Sequence, residues 1–160
     1  MSNSSATSRI SRRAVCGGIL GLAASPFSLR ATPSSGVLVH KDPNCGCCGV
    51  WVKHIEAAGL FVKVEKTTGL DAIRYRLGVP ADLKACHTAE VGGYVVEGHV
   101  PAVAIKRLLE ERPDAIGIAV AGMPLGSPGM GGKPQQYSVI LFGPNGRRTY
   151  MQFVGSEVIG

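Results

Sequence analysis

Three cysteines fall within four residues, Cys45-Gly46-Cys47-Cys48, and no other feature of this 160-residue chain restricts its fold and its chemistry as much. Asp42-Pro43-Asn44 before them is a turn signal, while Trp51, Ile55 and Ala58 after them recur at helical spacing, with Gly59 placed to end the helix. The cluster therefore sits where a turn delivers a short strand, Val37-Leu38-Val39-His40, to a helix N-terminus. Free backbone N–H groups and the positive end of the helix dipole favour thiolate there, the form of cysteine that attacks disulfides and binds metals. Cys45 and Cys48 keep the C-x-x-C spacing of a dithiol couple, and Cys47 is an additional thiol between them. Three sulfurs exceed what a dithiol switch requires but suit a soft metal, whose low-coordinate centres can share bridging thiolates.

Five cysteines occur in all, and Cys16, inside an N-terminal apolar run, takes no part in this chemistry. Of the other four, Cys47 and Cys48 are adjacent and would close a strained ring, and Cys45 to Cys47 closes one only slightly larger. The spacing predicts at most one unstrained disulfide, from Cys86 to one of the trio, with two thiols left over.

The formal charge of +6 invites a nucleic-acid reading until its location is considered. Up to Ala31 there are four arginines and no acidic residue, whereas from Thr32 onward 13 basic residues face 11 acidic ones, leaving only +2. Composition thus gives nucleic acid no support as a partner. Ser11-Arg12-Arg13 precedes the apolar run Ala14 to Phe27, and Leu29-Arg30-Ala31 offers a processing site. That order is the order of a bacterial twin-arginine signal, so residues 1–31 read as an export signal and the mature protein as periplasmic. As a helix the run would rise roughly 21 Å, short of the ~30 Å hydrocarbon core, and no stable membrane anchor is expected.

Residues 32–36 read as a linker, 37–154 as one domain and 155–160 as a C-terminal tail. After the first strand and helix, Phe61-Val62-Lys63-Val64 alternates as a second strand. Thr68 to Asp71 has the spacing of a capping box, and Leu70, Ile73 and Leu77 give the second helix an apolar face. His87 to Val91 and Tyr94 to Glu97 flank Gly92-Gly93 as a hairpin, and Pro101 opens a third helix carrying Ile105, Leu108 and Leu109. The order β-α-β-α-β-β-α is that of an α/β thioredoxin-like domain. Ile116 to Val120, a Gly/Pro/Met loop from Met123 to Gly132, and a hairpin of Tyr137 to Phe142 with Thr149 to Phe153 read as a C-terminal loop and β-hairpin appendage. In a thioredoxin-like fold the residues before the first hairpin strand lie opposite the redox helix, where a cis-proline is usual. Here they are Cys86-His87, which would place a fourth sulfur across a shallow cleft from the trio.

The other candidate ligands carry less weight. His87, next to Cys86 on an extended segment, is expected to point to the opposite face and to act as an outer hydrogen-bonding residue ahead of a direct ligand. His54 lies two helical turns below Cys47, too far to share its metal, and His40 and His99 flank elements and read as solvated or structural. Met123 and Met130 offer soft thioethers, although methionines packed over the core is the plainer reading of their loop. Gly132-Lys133 does not end a phosphate-binding loop, because Ser127 and Pro134 stand where that motif needs Gly and Ser or Thr. Trp51 reads as core.

Four segments in order, Lys41-Asp42-Pro43-Asn44-Cys45-Gly46-Cys47-Cys48, Cys86-His87-Thr88-Ala89, Glu97-Gly98-His99-Val100-Pro101-Ala102 and Gly122-Met123-Pro124-Leu125-Gly126-Ser127-Pro128-Gly129-Met130, carry a family resemblance. From about Val37 to Phe153 the chain resembles the periplasmic copper-resistance family of CopG type, the metal-binding protein and not the plasmid repressor of that name. The resemblance implies a thioredoxin-like domain holding several copper ions in a cysteine-bridged cluster, with Cys45, Cys47, Cys48 and Cys86 in the ligand positions. Gly131 departs from the pattern, since an acidic residue is expected there. The leading expectation is therefore a Cu(I)-binding protein with more than one ion per chain, serving copper tolerance by sequestration, by transfer to periplasmic partners or by redox buffering. A thiol-disulfide oxidoreductase using Cys45 and Cys48 is the first rival, and a structural zinc site of four cysteines is the second.

Overall fold

The structure is a computed structural model that describes residues 36–160. The export signal and nearly all of the linker expected from the sequence lie outside the described residues. β1 (Val37–Lys41) buries Val37 and Val39 completely, as an alternating strand with one covered face should. It leads through the Asp42–Asn44 turn into α1 (Gly46–Ala57), whose buried residues Cys48, Trp51, Val52 and Ile55 form a single apolar stripe. α1 is the crossover that brings β2 (Val62–Lys66) back parallel to β1, with Val37 opposite Val62. α2 (Leu70–Arg76) follows, then a single 3-10 turn (Ala81–Leu83). β3 (His87–Val91) and β4 (Tyr94–Glu97) make the expected hairpin. Gly92 and Gly93 both take positive φ, 57° and 88°, the requirement of a tight two-residue hairpin turn. Pro101 caps α3 (Ala102–Glu111), which buries Ala102, Ala104, Ile105 and Leu108.

β5 (Gly117–Ala119), β6 (Gln136–Gly143), β7 (Gly146–Val154) and β8 (Glu157–Val158) complete the chain. All eight strands of the described residues belong to one sheet in the order β2-β1-β3-β4-β5-β6-β7-β8. Alternation along its strands separates two cores. Val96, Ile118 and Leu141 join the large cluster that includes Trp51, Ile55, Ile105 and Leu108 of the helices, while their neighbours Val95, Ala119 and Phe142 join Val79 and Leu83 on the other face.

Three local expectations are corrected. The C-terminal hairpin is not an appendage: β5 pairs parallel with β4, and β6 and β7 extend the same sheet, because Gly117 lets the backbone approach Val95 closely. Residues 157–158, expected in a tail, pair with β7. The second helix starts at Leu70 without a capping box; Thr67, not Thr68, accepts the Gly69 N–H, at 3.0 Å. Among the described residues no helix is long and apolar enough to cross a membrane.

Candidate metal centre

The turn before α1 sets the geometry. Asp42 accepts the Asn44 N–H on its side chain and the Cys45 N–H on its carbonyl, at 2.8 and 3.1 Å, which makes Cys45 the N-cap of α1. Cys47 and Cys48 then occupy the first helical turn, where backbone N–H groups lack intrahelical acceptors. Across from them Cys86 precedes β3. The four sulfurs lie within 4.8 Å of one another. Cys47 Sγ is 3.6 Å from Cys45 Sγ and 4.0 Å from Cys86 Sγ, and Cys48 Sγ is 3.7 Å from the Cys86 carbonyl oxygen.

Cys45 and Cys48 form a disulfide with Cα atoms 5.6 Å apart, and among the described residues Cys47 and Cys86 are free and partly buried. This corrects the expectation of a bond from Cys86. The first turn of a helix folds residues i and i+3 together, so C-x-x-C closes without help from another element. Burial, first, and the neighbouring Cys47 push the Cys86 thiol up to about 12, so the metal-free thiol holds its proton at neutral pH.

His99 is a correction of a different kind. Expected to be solvated or structural, it is fully buried and its Nε2 lies 2.8 Å from Cys86 Sγ. Its Nδ1–H donates to the Pro128 carbonyl at 2.6 Å, which leaves the Nε2 lone pair facing the sulfur. Burial lowers its pKa below the ordinary histidine value. Nothing in the local sequence reveals this role, because it depends on the Gly98 N–H bonding the His87 carbonyl and so folding residue 99 back onto residue 86.

His87 does not turn away from Cys86. Cys86 precedes the strand that His87 begins, so strand alternation does not separate them, and His87 Nδ1 lies 3.2 Å from Cys86 Sγ. Its ring packs on Trp51 at 4.2 Å between centroids and edge-on to His99 at 5.2 Å. Burial, ahead of the nearby His99, Arg74 and Lys41, holds its pKa down to about 3, and its buried Nε2 has no hydrogen-bond partner among the described residues. Cys86, His87 and His99 thus form a second donor set that shares Cys86 with the first.

The Gly/Pro/Met loop reaches the site through its backbone. A Cβ on Gly129 would lie 2.8 Å from the Cys47 carbonyl oxygen, 2.9 Å from Trp51 N and 3.1 Å from His99 Nδ1. Met123 is 55% exposed, not packed over the core, and Met130 is partly buried. Trp51 is core, with its indole N–H donating to the Val100 carbonyl at 2.8 Å. His54 serves the scaffold, since its Nε2 accepts the Ala102 N–H at the start of α3. His40 lies buried between Glu65 and Glu90 at 3.6 and 3.0 Å.

Once the Cys45–Cys48 bond is reduced, four thiol sulfurs and two imidazoles, in two donor sets that share Cys86, are soft and borderline donors, the set that accepts Cu(I) or zinc and not a hard cation. Residues 83–130, from before Cys86 to Met130, match the family described as "Protein of unknown function, DUF411". No curated protein matches the chain. Two solved structures do, named "Copper resistance protein copG- Form 2" and "Copper resistance protein copG- Form 1". Each is 43% identical to this chain, with TM-scores of 0.71 and 0.70; the matches cover 74% and 75% of this chain and 98% of each of those. That identity over nearly the whole of both structures, in the same mixed α/β fold, shows that the chain belongs to the CopG-type copper-resistance family.

Proposed function

We propose that this protein binds copper as Cu(I), more than one ion per chain, in a cluster bridged by the thiolates of Cys45, Cys47, Cys48 and Cys86, and that it contributes to copper tolerance. The observation that carries the proposal is the convergence of four sulfurs within 4.8 Å at a helix N-terminus. Thiolates carry a charge that bridging Cu(I) ions offset, and the helix N-terminus lowers the cost of gathering them. A thioredoxin-like core is part of the proposal, supported by the β2-β1-β3-β4 half of the sheet with its parallel and antiparallel pairs and by the placement of Cys86 opposite α1. Action in the periplasm rests on the Ser11-Arg12-Arg13 segment and the apolar run after it. Copper loading of all four sulfurs requires the Cys45–Cys48 bond to be reduced first, by two electrons from an external thiol reductant.

The Cys45–Cys48 disulfide also favours a second reading, a thiol-disulfide oxidoreductase. Anaerobic titration of the reduced protein with Cu(I) against a chelator, beside a zinc titration, tests the first. More than one Cu(I) per chain is expected, and one tightly held zinc with negligible copper overturns it. Cys47→Ser separates the two readings: a shared cluster loses copper, whereas a Cys45/Cys48 couple keeps its disulfide reductase activity.

A further inference from the structure

Cys86 stands on no helix or strand, and the peptide before it is held by side chains in place of a backbone ladder. Glu97, fully buried at the end of β4, accepts the Ala85 N–H at 2.7 Å and the Arg74 Nε–H at 2.9 Å on one oxygen. Its other oxygen accepts the hydroxyl proton of buried Thr88. Arg74, projecting from α2 and only 7% exposed, donates from Nη2 to the Ala85 carbonyl at 2.6 Å. Both backbone groups of Ala85 therefore end on a single ion pair. Gly98 closes the other side: its N–H donates to the His87 carbonyl at 2.9 Å, and a Cβ there would come within 2.6 Å of the Ala85 Cβ.

A buried ion pair is a poor source of stability, since apolar side chains of similar volume often serve as well or better. What apolar side chains cannot do is satisfy the N–H and the C=O of an irregular peptide together. Nor can lysine, whose single ammonium lacks the planar fork by which Arg74 reaches Glu97 and Ala85 at once. We infer that Arg74 and Glu97 are positioning residues of the sulfur site, holding Cys86 4.0 Å from Cys47 so that it stands as the fourth sulfur. The inference rests on the copper-binding reading above for its consequence, but its geometry can be read without metal.

The test compares Arg74→Lys with the apolar pair Arg74→Met/Glu97→Leu and with Cys86→Ala. In metal-free protein with the Cys45–Cys48 bond closed, diamide oxidises Cys47 and Cys86 to a second disulfide, each sulfur giving up one electron and its proton to the diazene, which becomes the hydrazine. Mass spectrometry follows the rate. Thermal unfolding and copper per chain of the reduced protein are measured beside it. Arg74→Lys is expected to melt near the wild type yet close the Cys47–Cys86 bond at least about tenfold more slowly, because reactions between held groups are that sensitive to displacement. It should lose as much copper as Cys86→Ala, with no further loss when the two are combined. If Arg74→Lys does not fold, the apolar pair carries the same expectation. Wild-type closure rate and copper content in a folded variant of either kind overturn the inference. A wild type that binds no copper while the variants still close the bond slowly overturns the copper reading and leaves the positioning role standing.

Discussion

Gly129 holds the Gly/Pro/Met loop against the site at a point where no side chain fits. Its φ of +91° belongs to the region that L residues rarely adopt, and a Cβ would be driven into the Cys47 carbonyl, Trp51 N and His99 Nδ1. Gly129→Ala should therefore destabilise the fold by about 1–3 kcal/mol and loosen the Pro128 carbonyl from His99. Gly131→Ala is the control, because among the described residues nothing lies within 4 Å of where its Cβ would stand. Urea unfolding of both checks this, and equal stability of the two variants would contradict it. At this scale the sequence was informative about sulfur and silent about its neighbours. Cys45, Cys47 and Cys48 announce themselves by spacing, since a helix turn brings them together in any fold. His99 does not, because its meeting with Cys86 is a product of how the ends of β3 and β4 are bonded.

Between elements, His54 ties α1 to α3. Its Nε2 accepts the Ala102 N–H, an acceptor that only the neutral ring offers, and burial holds its pKa below 6.5. The unfolded chain takes up the proton near 6.5 while the folded chain resists it. This contribution is therefore present in full above that pH and is lost as pH falls below it. Half-burial and solvent screening keep the share of His54 well under the ceiling of about 1.4 kcal/mol per pH unit. His87, depressed to about 3, and His99 add losses of the same sign. His54→Gln retains an acceptor without a titrating base, so it should shrink the loss of stability between pH 7 and pH 5 without abolishing it. Urea midpoints across that range are the measurement, and an undiminished loss would show that His54 is not protonated on unfolding. Helix identity was legible from apolar spacing in α1 and α3. The start of α2 was not, because Thr67 and Thr68 offer the same hydroxyl and only the chain path selects between them.

At the scale of the whole molecule, the site joins α1, the segment before β3, the end of β4 and the Gly/Pro/Met loop, so ligand binding there opposes global unfolding. A ligand at a hundred times its dissociation constant adds about 2.7 kcal/mol per site, which for a domain of this size is a rise in Tm of roughly 10 °C. The reduced protein should show such a rise with excess Cu(I), and protein alkylated with iodoacetamide before copper is added should show none. Calorimetry decides it, and equal rises in both would place copper away from the thiols. The eight-strand sheet was only partly foreseen. Its hairpins follow from glycine-bearing turns between alternating runs, whereas its continuity across β4 and β5 depends on a parallel pairing between strands separated by a helix.

By itself the sequence determined the local things: a strand, a turn and a helix that present three thiols in one turn, a glycine hairpin, and the stripe of α1. These follow from propensity, capping and periodicity, which act over a few neighbouring residues. Tertiary structure alone decided that His99 faces Cys86, that Arg74 and Glu97 clamp Ala85, and that the C-terminal strands continue the sheet. Each of these joins residues far apart in the chain, and strand register, close backbone approach at glycines and the need to satisfy buried polar groups select them only once the whole core has formed.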